Sequence, residues 1–142
     1  WLFAISATAT YRTVALSYEY VGTLTDSILN QVMADPDYTA DNRLLMAGLP
    51  DETRVQDANA LYWYSQYQRS PLFWGGTHGI LDCWPTYLYD YHGFNAGGVT
   101  LAEYENIVSS AEFAAMPVYP QAGSITYFGD ILVVKLEENP PQ

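Results

Sequence analysis

Residues 11–33, YRTVALSYEYVGTLTDSILNQVM, constrain this chain more than any other stretch. Tyr11, Val14, Tyr18, Val21, Thr25, Ile28 and Val32 recur at alternating steps of three and four, and Ala15, Leu24 and Leu29 widen the stripe. That spacing predicts a helix with one buried face, about 35 Å long at 1.5 Å per residue. Gly22 costs it roughly 1 kcal/mol, which a helix of this length absorbs. Asp35-Pro36 ends it, because the residue before a proline is pushed out of the helical region. Upstream, the small residues Ala4 to Thr10 allow the helix to continue. A helix so one-sided needs a partner layer, from the rest of its own domain or from a sister copy.

Five later segments carry regular patterns. RLLMAGL at 43–49 is a short apolar run before Pro50 and reads as a buried strand. Thr100-Leu-Ala-Glu103 is a capping box, with threonine at the N-cap and glutamate reaching back; Leu101, Tyr104, Ile107, Val108 and Ala111 then form one apolar face. SITYFGDILVVKL at 124–136 is two β-rich runs around Gly129-Asp130, which fits a two-residue type II′ hairpin. Ile131 to Val134 are apolar on both faces, so that strand is expected inside the sheet. Asp57 is placed to cap a helix through ANALYWYSQYQR, with Leu61, Tyr64 and Tyr67 inward and Ser70-Pro71 as its end. Leu72 to Trp74 suits a short strand. The expected fold class is α/β (or α+β): a long N-terminal helix packed on a small mixed sheet with a C-terminal β-hairpin, in one soluble domain over 1–142.

Composition narrows the function. With 16 Asp+Glu against 5 Lys+Arg the formal net charge is −11, which repels phosphate backbones, so nucleic acid is not an expected partner. The single cysteine, Cys83, makes neither an internal disulfide nor a multi-thiolate zinc site. Hydrophobic residues at 49% exclude a disordered tail, and stability must come from packing. Thirteen tyrosines and four tryptophans are heavy for 142 residues. Such rings suit a core with wet edges as well as sugar stacking.

Chemistry-bearing residues concentrate at 73–94, FWGGTHGILDCWPTYLYDYHGF, which holds both histidines, the cysteine and two aspartates. His78, Asp82, Asp90 and His92 are metal-ligand types, yet HExxH, DxDxDG and paired-cysteine spacings are all missing, so no metal is expected. Gly79 argues against His78 and Asp82 sharing a helix face. Cys83, between Leu81 and Trp84, matches no cysteine-nucleophile signature and no serine lies in a GxSxG elbow, so no catalytic residue is assigned. The glycines match neither a dinucleotide fingerprint nor a P-loop, and no cofactor is expected. Broken by Gly75, Gly76, Gly79 and Pro85, the stretch reads as a connector whose aromatics complete the core, with an exposed polar edge; after Pro85, TYLYDYHGF is open between a helical turn and irregular structure.

The last part of the chain, LAEYENIVSSAEFAAMPVYPQAGSITYFGDILVVKL, resembles the C-terminus of bacterial polytopic membrane glucosyltransferases of the O-antigen-modifying (Gtr) type. The shared elements are a helix with a short extension, Met116-Pro117 leading to Tyr119-Pro120, Gly123-Ser124, a turn, and Val133-Val134-Lys135-Leu136. A long tyrosine-bearing helix entering a short strand at Leu44 to Leu49 fits the same pattern. The resemblance contains no catalytic string. It implies a non-catalytic extracytoplasmic accessory domain of an enzyme that transfers glucose from a polyprenyl-phosphate donor to a cell-surface polysaccharide. WLFAISATA, with residues 1–10, would be the end of a membrane helix. Partners would be the membrane portion of the parent chain and the polysaccharide acceptor, and the domain would sit at the cell membrane on its outer side. Trp74, Trp84, Tyr89, Asp90 and His92 are the candidate sugar-binding residues. The alternative is a stand-alone carbohydrate-binding or protein-interaction module.

Overall fold

The computed structural model describes the backbone of residues 2–50 and 76–140, with side chains over 15–16, 18–50 and 80–140. The fold is α/β. Helix α1 (Leu2–Ala34) is followed by strand β1 (Arg43–Ala47), helices α2 (Gly76–His92), α3 (Leu101–Val108) and α4 (Ala111–Ala115), and strands β2 (Ile125–Phe128) and β3 (Ile131–Lys135). The chain divides into two compact units, one made of Trp1–Asp37 with Asp51–Leu72, the other of Tyr38–Pro50 with Phe73–Gln142. Each unit is assembled from two separate stretches of the chain. The helix expected after Asp57 and the strand expected at Leu72 to Trp74 lie outside the described residues.

In the first unit, α1 is one helix of 33 residues, about 50 Å long. Val21, Thr25, Ile28 and Val32 are buried along it at steps of four, three and four, as the stripe requires. Tyr18 departs from that expectation and is 39% exposed, and Ala15 is exposed too. The side chains of Tyr11 and Val14 lie outside the described residues. The helix stops where Pro36 demands: the Asp35 N–H donates to Val32 O at 3.2 Å, and the Asp35 carboxylate accepts from the Asp37 N–H at 3.0 Å. Among the described residues, no helix is long and apolar enough to cross a membrane.

The second unit is organised by a three-stranded mixed sheet of order β1-β3-β2. β3 is central, parallel to β1 (Leu44 opposite Leu132, Met46 opposite Val134) and antiparallel to β2 (Phe128 opposite Ile131). All five of its residues are buried, as strands covered on both faces must be. The β2–β3 turn is the expected two-residue Gly129-Asp130, with Gly129 at φ 65° in the region that glycine enters without a Cβ penalty. β1 also buries Leu44 to Ala47 on both faces, and its Leu44 N–H donates to Ala96 O at 2.7 Å.

Residues 76–92 correct the connector reading: they form a 17-residue helix. Ile80, Trp84, Tyr87 and Leu88 are buried at i, i+4, i+7 and i+8, a helical period that decides the outcome. Gly76 and Gly79 fall in the first turn, where each costs about 1 kcal/mol or less. Pro85 stands inside the helix, where it removes one backbone donor and the packed stripe outweighs the loss. Gly93, at φ 64°, then turns the chain so that Phe94 N–H reaches Leu88 O at 3.0 Å.

The helices α3 and α4 are joined by one hydroxyl. Ser110 Oγ donates to Ile107 O at 2.7 Å and accepts the Phe113 N–H at 3.1 Å, so it closes one helix and caps the next. The open carbonyl end of α4 meets an unusual partner, Lys135 of β3, which is fully buried. Its Nζ donates to Met116 O at 2.8 Å and Phe113 O at 3.2 Å, and lies 4.9 Å from the centre of the Phe113 ring. A cation is favoured at a helix C-terminus, and here the desolvation cost is offset by two carbonyls and an aromatic face. Replacing Lys135 with methionine keeps the volume but leaves both carbonyls without this donor. Phe113 O still accepts the Met116 N–H at 3.1 Å, so only Met116 O is orphaned, and urea unfolding of Lys135→Met should show a loss of about 1–3 kcal/mol. A loss under about 0.5 kcal/mol would mean that the ammonium contributes nothing.

Candidate functional site

Two features of the second unit carry polar chemistry: the C-terminal end of α2 and an ion cluster around Arg43. The first contains the sequence-derived candidates, and the helix sorts them by face. Trp84 is 1% exposed and points inward, its indole N–H donating to Gly48 O at 3.0 Å. Its ring is not offered to solvent. Opposite that buried stripe, Asp82, Thr86, Tyr89 and Asp90 are exposed, with Tyr89 at 66%. Tyr91 is 65% exposed, and His92 is half-buried. Trp74 lies outside the described residues, as does the side chain of His78. The backbone at 78–82 is nevertheless helical, contrary to the expectation drawn from Gly79.

The rings form a continuous path from the core outward. Trp84 meets Tyr87 edge-on with centroids 6.0 Å apart, Tyr87 stacks with Tyr91 at 5.0 Å and 30°, and His92 meets Tyr87 edge-on at 5.3 Å. Tyr87 and Tyr91 are one helical turn apart, the spacing that lets side chains meet. Tyr91 is thus a surface ring with a rigid backing, whereas Tyr89, two residues earlier, lies on another side of the helix and has no such stack among the described contacts. Among the described residues, no three of His, Cys, Asp and Glu come together as a metal site. Cys83 is a half-buried free thiol between Asp82 and Trp84.

The second feature was not legible as a site. Arg43 opens β1, and its guanidinium reaches partners far along the chain. Nε donates to Asp130 Oδ2 at 2.8 Å and Nη2 to Asp130 Oδ1 at 3.2 Å. Nη2 and Nη1 also grip Glu103 Oε1 and Oε2 at 2.9 and 3.1 Å, and Nη1 donates to Gly98 O at 2.9 Å. Both carboxylates are held in the bidentate fork geometry that arginine suits. Glu103 Oε2 meanwhile accepts from Thr100 N and Thr100 Oγ1, each at 2.8 Å, which completes the capping box of α3. Hydrogen bonds from Arg43 and then Thr100 lower the Glu103 carboxyl from 4.5 to about 2, and those from Arg43 lower Asp130 as well. Hydrogen bonds to Glu103 and then Asp130 raise Arg43 further above its already high value.

This cluster ties a strand, a hairpin turn and a helix cap together, and every donor it has is taken. It is a fastening, and the surface it leaves is acidic. The backbone makes room for it at Gly97, which has φ 71° and on which a Cβ would come within 2.7 Å of Arg43 Cγ. No family model, no curated protein and no solved structure matches the chain.

Two outcomes follow from this geometry. Glu103 and Asp130 have lowered folded-state values, so their contribution to stability is complete above the ordinary carboxylate range and is lost as pH falls from about 4.5 toward 2. In urea titrations, Arg43→Gln should unfold at lower denaturant than the wild type at pH 7, and the gap should close between pH 4.5 and 2. A gap independent of pH would contradict the ion cluster. Gly97→Ala combines a disfavoured φ with the close approach to Arg43 and should cost about 1–3 kcal/mol in the same assay. An unchanged midpoint would mean that the backbone there shifts freely.

Proposed function

We propose that this chain is a non-catalytic extracytoplasmic accessory domain of a membrane glucosyltransferase, and that the outer end of α2 meets the acceptor polysaccharide. The observation that carries the reading is the Tyr91 ring, 65% exposed and stacked on Tyr87 at 5.0 Å, at a helix end that also exposes the Asp90 carboxylate. Pyranose rings offer flat C–H faces and a rim of hydroxyls. An amphipathic ring takes the first, and a carboxylate accepts from the second. Tyr91, backed by Tyr87, needs little ordering on contact, which lowers the entropic cost of binding. His92 stands at the margin of this surface, and Trp84 acts from behind it by holding Tyr87. The parent enzyme and its polyprenyl-phosphate glucose donor enter through the sequence resemblance alone. The same surface also suits a stand-alone carbohydrate-binding module.

Titration with neutral oligosaccharides, followed by two-dimensional NMR of tyrosine ring signals, tests the binding surface. Saturable shifts confined to Tyr87, Tyr89, Tyr91 and His92 are expected, and Tyr91→Ala should weaken binding about 2- to 10-fold, the worth of one stacked ring. Flat titrations across several glycans would sink the sugar reading. The coding region upstream of Trp1 tests the parent: several apolar runs of about 20 residues support a membrane enzyme. A start codon or cleavable signal immediately upstream would leave the stand-alone module.

A further inference from the structure

We draw no further inference here: the strongest candidate, the partly exposed outer edge of strand β2 on the side away from β3, carries nothing because nothing in the structure shows what covers it.

Discussion

The guanidinium of Arg43 has five N–H donors, and five hydrogen bonds leave it for Glu103, Asp130 and the Gly98 carbonyl. Much of the second unit hangs on that arrangement. β1 and β3 are parallel neighbours brought from 88 residues apart, and Arg43 joins the head of one to the turn that starts the other. The same group holds the glutamate that caps α3, so the end of a helix and the edge of a sheet share one charge. Lysine cannot substitute, since a single ammonium lacks the planar fork that grips two carboxylates at once. Lys135 plays a comparable part at the opposite end of β3, where it closes α4. Both cations with described side chains are thus committed to internal contacts, in a chain with only 5 of them against 16 acids. The described surface therefore presents negative charge, which disfavours polyanionic partners and is compatible with neutral glycans.

Local rules were readable wherever the signals were local. Thr100 and Glu103 stand three residues apart, and their capping box formed as written. Gly129-Asp130 turned the hairpin, and the apolar run Ile131 to Val134 became the central strand. Asp35-Pro36 ended α1. Helix α2 was missed because Gly76, Gly79 and Pro85 punctuate it, although the buried spacing Ile80, Trp84, Leu88 was present all along. Tertiary burial outweighed local propensity there, as it often does. The same error put Trp84 among the surface candidates; once 76–92 is helical, its place on the stripe is inward.

The two cations were invisible for a different reason. Arg43 and its partners Glu103 and Asp130 lie 60 and 87 residues apart in the chain, and no periodicity connects them. A weak signal did exist: a lone lysine ending the strand ILVVK, and a lone arginine opening the strand RLLMA, are charges where the pattern demands apolar residues. A charge in such a position must find compensating groups or move out of the sheet. The residues that face solvent on α2, by contrast, were half legible. Tyr89, Asp90 and His92 were singled out by type, and only the helix showed that Tyr89 and Asp90 are exposed while His92 leans on Tyr87.

If one guanidinium organises this unit, the carboxyl groups that it holds must titrate apart from ordinary carboxylates. Carbon-detected NMR of the Glu103 side chain in the intact chain reads this directly. The expected midpoint is about 2, moving up toward 4.5 when Arg43 is replaced by glutamine. A midpoint near 4.5 in the unaltered chain would show that Arg43 does not hold Glu103 and that the sheet, turn and helix cap are joined by other means.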